Sequence, residues 1–88
     1  MFKLSFSRDA RRFLDELDAK QFRQVVKRIL ALTADAQPSD AQHLAGSHFR
    51  RIDQGEYRII YAVEEDVVAI VLVGKRNDGE IYARLRRK

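Results

Sequence analysis

The feature that most constrains this chain is an uninterrupted apolar run over residues 67–73. Seven residues are too few to cross a bilayer, and a run rich in β-branched side chains favours a strand. Because both faces of that strand are apolar, we expect it to be covered on both sides and to lie centrally in a sheet. The 88 residues suffice for one domain, 1–88, with a single modest core.

The composition narrows the function classes. The chain has no cysteine, which excludes disulfides, thiolate zinc sites and cysteine nucleophiles. Its first residues lack the long apolar stretch of a signal peptide, so we expect a cytoplasmic protein with no membrane partner. Lysine and arginine number 17 against 13 acidic residues, for a formal net charge of +4. This excess is compatible with a nucleic-acid partner and equally with a solvated surface.

The first third of the sequence predicts a strand followed by two helices. Residues 2–6 alternate apolar and polar side chains, as in a short half-buried strand. Ser7 is placed to cap a helix over residues 8–17, and Asp18 to cap a second, longer helix. That second helix has an apolar stripe of Phe22, Val25, Val26, Ile29 and Leu30. Since almost nothing separates the two helices, we expect a helical hairpin.

The last forty residues predict a three-stranded antiparallel meander. The predicted strands are residues 49–53, 57–63 and 67–73, followed by a polar loop over 74–80 and a short C-terminal segment. Helices followed by grouped strands indicate an α+β fold, in which the helical hairpin packs on one face of an antiparallel β-sheet. The other face should stay partly open. A long connection over residues 34–47 leads into this meander.

Strand parity directs several polar side chains toward that open face. Arg51 and Asp53 share one face of their strand, and Arg58 lies opposite the better core candidates of the next strand. The loop after the third strand adds Arg76, and Tyr82 follows it. Such a cluster suits a phosphate, because guanidinium groups bind phosphate bidentately and stay charged. The alternative is structural: Arg58 only pairs with a carboxylate nearby in the sequence, and Tyr82 only closes an edge of the core.

The two histidines, His43 and His48, lie five residues apart in and after the long connection. Neither has further histidine or carboxylate ligands at a recognised metal-binding spacing, so both are expected to be surface or loop-packing residues. The glycines of the 74–80 loop do not form a phosphate-binding motif followed by a helix. The sequence therefore predicts neither a metal nor a cofactor.

Two segments resemble the RelE/ParE superfamily of bacterial type II toxins. Residues 55–61 read Gly-Glu-Tyr-Arg-Ile-Ile-Tyr, similar to the family's second meander strand, and residues 73–76 read Val-Gly-Lys-Arg, with Tyr82 six residues later. The resemblance covers essentially the whole chain. It favours the RelE-like branch, whose members cut mRNA in the ribosomal A site. The alternatives are a ParE-like inhibitor of DNA gyrase without nuclease activity and an inactive relative that only binds an antitoxin.

The resemblance also implies site residues and partners. It assigns catalytic roles, without a metal, to Arg51, Arg58, Arg76 and Tyr82, and RNA binding is expected from Arg50, Lys75, Arg84 and Arg86. The family pattern has a second basic residue at the position of Asp53, or of Gln54 if the turn is gapped differently, so Asp53 could act as a base, weaken the activity or mark another arrangement. The implied partners are a cognate antitoxin, the ribosome and mRNA (DNA gyrase in the alternative), with operator DNA reached only through the antitoxin.

Overall fold

The computed structural model describes residues 1–77 and 79–87. Asp78 of the predicted polar loop and the C-terminal Lys88 lie outside the described residues. The elements in chain order are β1 (Lys3–Phe6), α1 (Arg8–Asp15), α2 (Ala19–Ala31), β2 (Gln42–His43), β3 (Arg50–Gln54), β4 (Tyr57–Glu64), β5 (Val67–Lys75) and α3 (Glu80–Arg86). This order of helices followed by a meander confirms the α+β prediction.

The strands form a five-stranded sheet in the order β1-β5-β4-β3-β2. β5 lies between β1 and β4, so the apolar run occupies the inner position that its two apolar faces predict. Strands β2 to β5 pair antiparallel, whereas β1 pairs parallel with β5. The sheet is therefore mixed rather than wholly antiparallel. No hairpin turn fixes the direction of β1, because two helices and the long connection separate it from the meander.

The helical hairpin packs on one face of the sheet, as predicted, and both predicted caps form. Ser7 Oγ accepts a hydrogen bond from the backbone N–H of Ala10 at 3.0 Å, and Asp18 Oδ1 accepts one from Gln21 at 2.9 Å. Each cap satisfies a backbone donor that a helix leaves unpaired in its first turn. The core on this face includes Ala10, Leu14, Val25, Ile29, Ile52, Ile59, Tyr61, Val68, Ile70 and Val73.

The opposite face is partly covered by α3. The sequence predicts only a short C-terminal segment here, and that segment is a helix, Glu80–Arg86. Ile81 of this helix packs with Ile60 and Leu72 of the sheet to form a second, smaller core cluster. A β-bulge after Ile60 directs Leu72 into this cluster, although Ile70, two residues earlier, belongs to the first core. The uncovered remainder of this face is the floor of the site described below.

Strand β5 is longer than predicted and shortens the polar loop. It continues through Gly74 and Lys75, which pair with Arg58 and Tyr57 of β4. The next residue, Arg76, donates its backbone N–H to the carbonyl of Glu56 at 2.9 Å. This bond ties the start of the loop to the β3–β4 turn. Among the described residues, no helix combines the length and the apolar character needed to span a membrane.

Candidate functional site

The β3–β4 hairpin sets the geometry of the site. Its turn is Gly55-Glu56, with Gly55 at a φ of +59°, a value that glycine adopts without steric cost. The turn fixes the register so that Asp53 lies directly opposite Arg58. Directly opposed residues project to the same side of a sheet, and Arg51, two residues before Asp53, joins them. The structure therefore brings these three side chains to one face, as the sequence parity predicts.

Arg58 connects the two sides of the site. Its Nε donates to Asp53 Oδ1 at 2.8 Å and its Nη2 to Asp53 Oδ2 at 3.1 Å, which makes the pair bidentate. Its Nη1 donates to the hydroxyl of Tyr82 at 2.6 Å. Only 14% of the Arg58 side chain is exposed, against 34% for Asp53. Of the carboxylates near Arg58 in the sequence, Asp53 is thus the partner, and α3 brings Tyr82 to the same guanidinium.

These contacts shift the pKa values of both charged groups. The hydrogen bond from Arg58 lowers the pKa of Asp53 below its usual 3.8, partial burial opposes that change, and the charges of Arg58, Arg51 and Arg76 lower it further. The hydrogen bond with Asp53 raises the pKa of Arg58 above its ordinary value. Asp53 is therefore an anion and Arg58 a cation at neutral pH. The influence of Arg51 and Arg76 on Asp53 also places both guanidiniums within electrostatic reach of the pair.

A groove of about 200 Å³ opens beside this pair. Arg51 borders it and donates a hydrogen bond to Gln42 of β2. Arg76 is exposed at the end of β5, on the side of the β3–β4 turn. Two guanidiniums and two carboxylates thus line an open cleft, with the Tyr82 hydroxyl on Arg58. The groove is lined by Asp40, Gln42, Arg51, Ile52, Asp53 and Arg58.

Sequence comparison identifies the family. A family profile described as the ParE toxin of type II toxin-antitoxin systems, parDE, matches residues 4–79. The chain belongs to this toxin family. The match includes the β3–β4 hairpin and Arg76, and it ends before Tyr82. Membership of the RelE/ParE superfamily, which the sequence predicts from residues 55–61 and 73–76, is confirmed. No curated protein sequence matches the toxin significantly.

Solved structures with this fold come from both branches of the superfamily. The free form of an arginine double mutant of Escherichia coli RelE has a TM-score of 0.81 at 23% identity, over 98% of the toxin and 96% of that chain. The intact E. coli RelBE toxin–antitoxin complex gives 0.75 at 22%, over 85% and 96%. The chromosomal ParDE system of Pseudomonas aeruginosa gives 0.72 at 16%, over 85% and 96%. At these identities the likeness establishes the fold.

The toxin does not gather all the predicted RNA-binding cations at the groove. Arg50 lies one residue from Arg51 and therefore projects to the helix-covered face, opposite Tyr61 of β4. Lys75 pairs with Tyr57 and also projects away from the face of Arg58. The parity that brings Arg51 and Arg58 together thus separates these two cations from the groove.

The two predicted cations of α3 differ in their surroundings. Arg84 forms an ion pair with Asp9 of α1, donates to the carbonyl of Val73 at 3.0 Å and lies over the ring of Phe13 at 5.7 Å. Its guanidinium is engaged in contacts between elements, whereas the family resemblance predicts an RNA-binding group here. Arg86 is exposed and borders a shallow apolar depression beside Tyr82.

Two groove residues were missed by the sequence analysis. Gln42 and Asp40 lie in the long connection, where a two-residue strand, β2, pairs Gln42 with Arg51. A strand of that length leaves no periodicity to read, and only the length of the connection hinted at a role. In the described ranges 1–77 and 79–87, no group of three or more histidine or carboxylate side chains is arranged to hold a metal ion.

Proposed function

We propose that this toxin is an endoribonuclease of the RelE kind, which cleaves mRNA on the ribosome and so inhibits translation. The observation that carries the proposal is an open groove lined by Arg51 and Arg58, with the Tyr82 hydroxyl bound to Arg58 and the charge of Arg76 close enough to lower the pKa of Asp53. Guanidinium groups fixed in place can neutralise the negative charge that builds up on a phosphate during cleavage. The RelE pattern that the sequence resembles is also matched at the positions of Arg51, Arg58, Arg76 and Tyr82.

The proposed reaction is a transesterification within the RNA. The ribose 2′-oxygen forms a bond to the adjacent phosphorus while the bond from phosphorus to the 5′-oxygen breaks, which leaves a cyclic phosphate and a 5′-hydroxyl. Solvent accepts the 2′-hydroxyl proton and supplies the proton that the leaving oxygen takes up. Arg51 and Arg58 hold and neutralise the phosphate, Arg76 stabilises the leaving oxygen, and Tyr82 orients the nucleotide by stacking or through its hydroxyl.

The pKa shifts favour charge stabilisation over proton transfer by the protein. An efficient general base has a pKa near the working pH, and the pKa of Asp53 is displaced below 3.8, in the wrong direction. The pKa of Arg58 is raised, so this guanidinium keeps its proton throughout. Neither group is suited to shuttle a proton at neutral pH. Of the roles that the sequence leaves open for Asp53, that of a base is therefore the least supported.

Inhibition of DNA gyrase without nuclease activity is the second candidate. Two observations favour it: the matching family profile is that of ParE, and Asp53 neutralises the best-placed arginine of the groove. A toxin that blocks gyrase needs a complementary protein surface and no phosphate site. On this alternative, loss of Arg76 would leave toxicity intact.

The proposed partners follow from the toxin family. We expect a cognate antitoxin, acidic in part, to neutralise the cations of the groove and of the C-terminal region, and to order on binding. Operator DNA would be reached only through that antitoxin. The ribosome and mRNA are the proposed targets, with DNA gyrase in the alternative, and all of these place the toxin's action in the cytoplasm.

The decisive experiment compares two assays on the same purified protein. One follows an mRNA by primer extension on translating ribosomes, and the other follows supercoiling by DNA gyrase. Our proposal expects new mRNA ends that require the ribosome, with gyrase unaffected. The Arg23→Ala variant, altered on the exposed side of α2 across the sheet, serves as the matched control with full activity. Inhibited supercoiling without mRNA cleavage would replace the proposal with the gyrase alternative.

A further inference from the structure

The Arg58–Asp53 pair has a consequence for any anion that enters the groove. A carboxylate and a phosphate present similar pairs of oxygens to a guanidinium, and both bind it with two parallel N–H···O bonds. In this toxin the Nε and Nη2 donors of Arg58 already point at the two oxygens of Asp53. The same two donors form an edge of the guanidinium that can hold a phosphate, and the remaining nitrogen, Nη1, is bound to Tyr82.

We propose that Asp53 is an internal competitor for the phosphate: its carboxylate occupies the Arg58 fork in the free protein and must be displaced before RNA binds. This inference rests on the proposed function and adds a means by which the site is held in check. Asp53 thereby sets the affinity of the groove for phosphate while taking no part in the bond changes.

The charges around the Arg58–Asp53 pair support the role of Asp53 as a competitor of phosphate over a role in positioning Arg58 alone. Arg51, Arg58 and Arg76 contribute three positive charges near the groove, and Asp53 cancels one of them. An incoming phosphate therefore meets a carboxylate in the position it needs and is also repelled by its charge. Of the other elements, the long connection contributes Asp40 to the groove, where it is paired with Arg28 of α2, β2 contributes Gln42, and α3 contributes the Tyr82 hydroxyl bound to Arg58.

The geometry also allows Asp53 to leave. About a third of its side chain is exposed, whereas Arg58 is held from two sides, by the hairpin and by Tyr82. A rotation about the Cα–Cβ bond of Asp53 can move the carboxylate into water without disturbing the ladder of β3 and β4. Arg58 meanwhile keeps its bond to Tyr82 and stays directed at the groove. The anchored arginine and the partly exposed carboxylate are the arrangement that a displaceable competitor needs.

The test measures phosphate binding directly. Inorganic phosphate is titrated into the purified toxin while the Nε–H resonance of Arg58 is followed by NMR. Asp53→Asn keeps the size of the side chain and removes the charge. We expect this variant to bind phosphate about five- to tenfold more tightly than the wild type. Asp66→Asn is the matched control, because it removes one charge at the opposite end of the β4–β5 hairpin, in an exposed pair with Lys3, and should bind like the wild type.

A second protein variant separates displacement of Asp53 from Arg58 from a general electrostatic attraction of phosphate to the groove. In an Arg58→Ala protein, where phosphate binding is followed through the backbone amide resonances of β3 and β4, Asp53→Asn should bring no such tightening, because the fork for which carboxylate and phosphate compete is gone. The proposal is overturned if Asp53→Asn binds phosphate no better than Asp66→Asn, or if its tightening persists without Arg58. Weaker binding by Asp53→Asn would identify Asp53 as a residue that only positions Arg58, which also overturns the proposal.

Cleavage kinetics keep this inference separate from the proposed function. On translating ribosomes, Asp53→Asn should lower KM for mRNA and leave kcat within about twofold, since a competitor acts on binding. A lower kcat at unchanged KM would instead indicate a positioning role and overturn the proposal. If Asp53→Asn binds phosphate more tightly but no variant cleaves mRNA, the competitor stands and the nuclease assignment fails. If the wild type cleaves mRNA but Asp53→Asn does not bind phosphate more tightly, the nuclease assignment stands and the competitor proposal fails.

Discussion

Arg58 lines the groove and Arg76 lies beside the β3–β4 turn, and the two arginines are held in different ways. Arg58 is 14% exposed and makes three hydrogen bonds through its side chain, so its replacement disturbs both the packing and the site. Arg76 is exposed and follows the last residue of β5, where no core position demands a cation. Substitutions of Arg76 therefore report on the chemistry of the groove more directly than those of Arg58.

Arg76→Ala should abolish most of the activity and leave the fold intact. If Arg76 stabilises charge on the leaving oxygen, its loss costs on the order of 3 kcal/mol of transition-state stabilisation, or about a hundredfold in rate. An exposed ion pair in the same place would be worth about 0 to 1 kcal/mol. Ribosome-dependent cleavage rates and melting temperatures, measured beside Arg23→Ala, check this. A stable Arg76→Ala protein with full toxicity would support the gyrase alternative.

The Asp53–Arg58 pair should make stability depend on pH in the acid range. The pKa of Asp53 in the folded protein lies below the usual 3.8, so the folded state favours the carboxylate. Its contribution is fully present above 3.8 and is lost as the pH falls through the lower folded value. Urea unfolding at pH about 6 and about 2.5 should show a smaller acid-induced loss of stability for Asp53→Asn than for the wild type. Equal losses would mean that the pair contributes nothing.

At the residue scale, the sequence could predict which face each side chain takes but not every partner. The two-residue turn at Gly55 and the period of two bring Arg51, Asp53 and Arg58 together, and both signals are local. The choice of Asp53 over other nearby carboxylates as the partner of Arg58 depends on the exact register. The partner of Arg84 is Asp9, which lies 75 residues away in the sequence, so no local pattern reveals this contact.

Helix α3 is held to the domain by Arg84. This side chain is 17% exposed. It links α3 to Asp9 of α1 and to the carbonyl of Val73 in the second half of β5. Arg84→Ala leaves these partly buried partners unpaired and should lower the free energy of unfolding by about 1–3 kcal/mol. Arg86→Ala, on the exposed part of the same helix, is the control and should change it by less than about 0.5 kcal/mol. Chemical denaturation of both variants measures the difference, and equal stability would refute this role of Arg84.

Gly74 sets how closely α3 approaches β5. A Cβ built at this position would meet Cβ and Cδ1 of Ile81 and Nη1 of Arg84, each at 3.2 Å. Because the Ile81 Cβ is attached to the helix backbone, Gly74→Ala should push α3 outward and destabilise the fold by about 1–3 kcal/mol. Gly79→Ala meets nothing within 4 Å and should stay within about 0.5 kcal/mol of the wild type. Thermal unfolding compares the two, and a neutral Gly74→Ala would show that α3 yields without cost.

At the element scale, the predictions succeeded where the signal is local. Both helix caps formed because Ser7 and Asp18 bond to N–H groups three residues on. The parallel pairing of β1 with β5 departs from the expected antiparallel sheet, and no local pattern predicts it because it joins residues more than sixty positions apart. The sequence predicts only a short segment in place of helix α3, because seven residues give too little periodicity and the packing of this helix on Ile60 and Leu72 is long-range.

In the whole molecule, the larger hydrophobic core and the candidate site lie on opposite faces of the sheet. The helical hairpin and the larger core occupy one face, while the groove shares the other with α3. The site is therefore built on paired strands, with α3 beside it and the helical hairpin across the sheet, in a domain whose Cα radius of gyration is only 11.9 Å. Since a site on regular elements is held more precisely than one on loops, antitoxin binding can cover it without the toxin having to refold.

Expression of the toxin alone should arrest growth, and the order of events in the cell should identify its target. If the groove cleaves mRNA on ribosomes, incorporation of labelled amino acids falls first, and incorporation of labelled thymidine follows. Co-expression of the antitoxin from the same operon should restore both, and Arg76→Ala should slow the onset by removing charge stabilisation at the phosphate. Pulse labelling at short intervals after induction measures this order. Earlier loss of thymidine incorporation would indicate gyrase, and normal growth at high expression without an antitoxin would indicate an inactive relative.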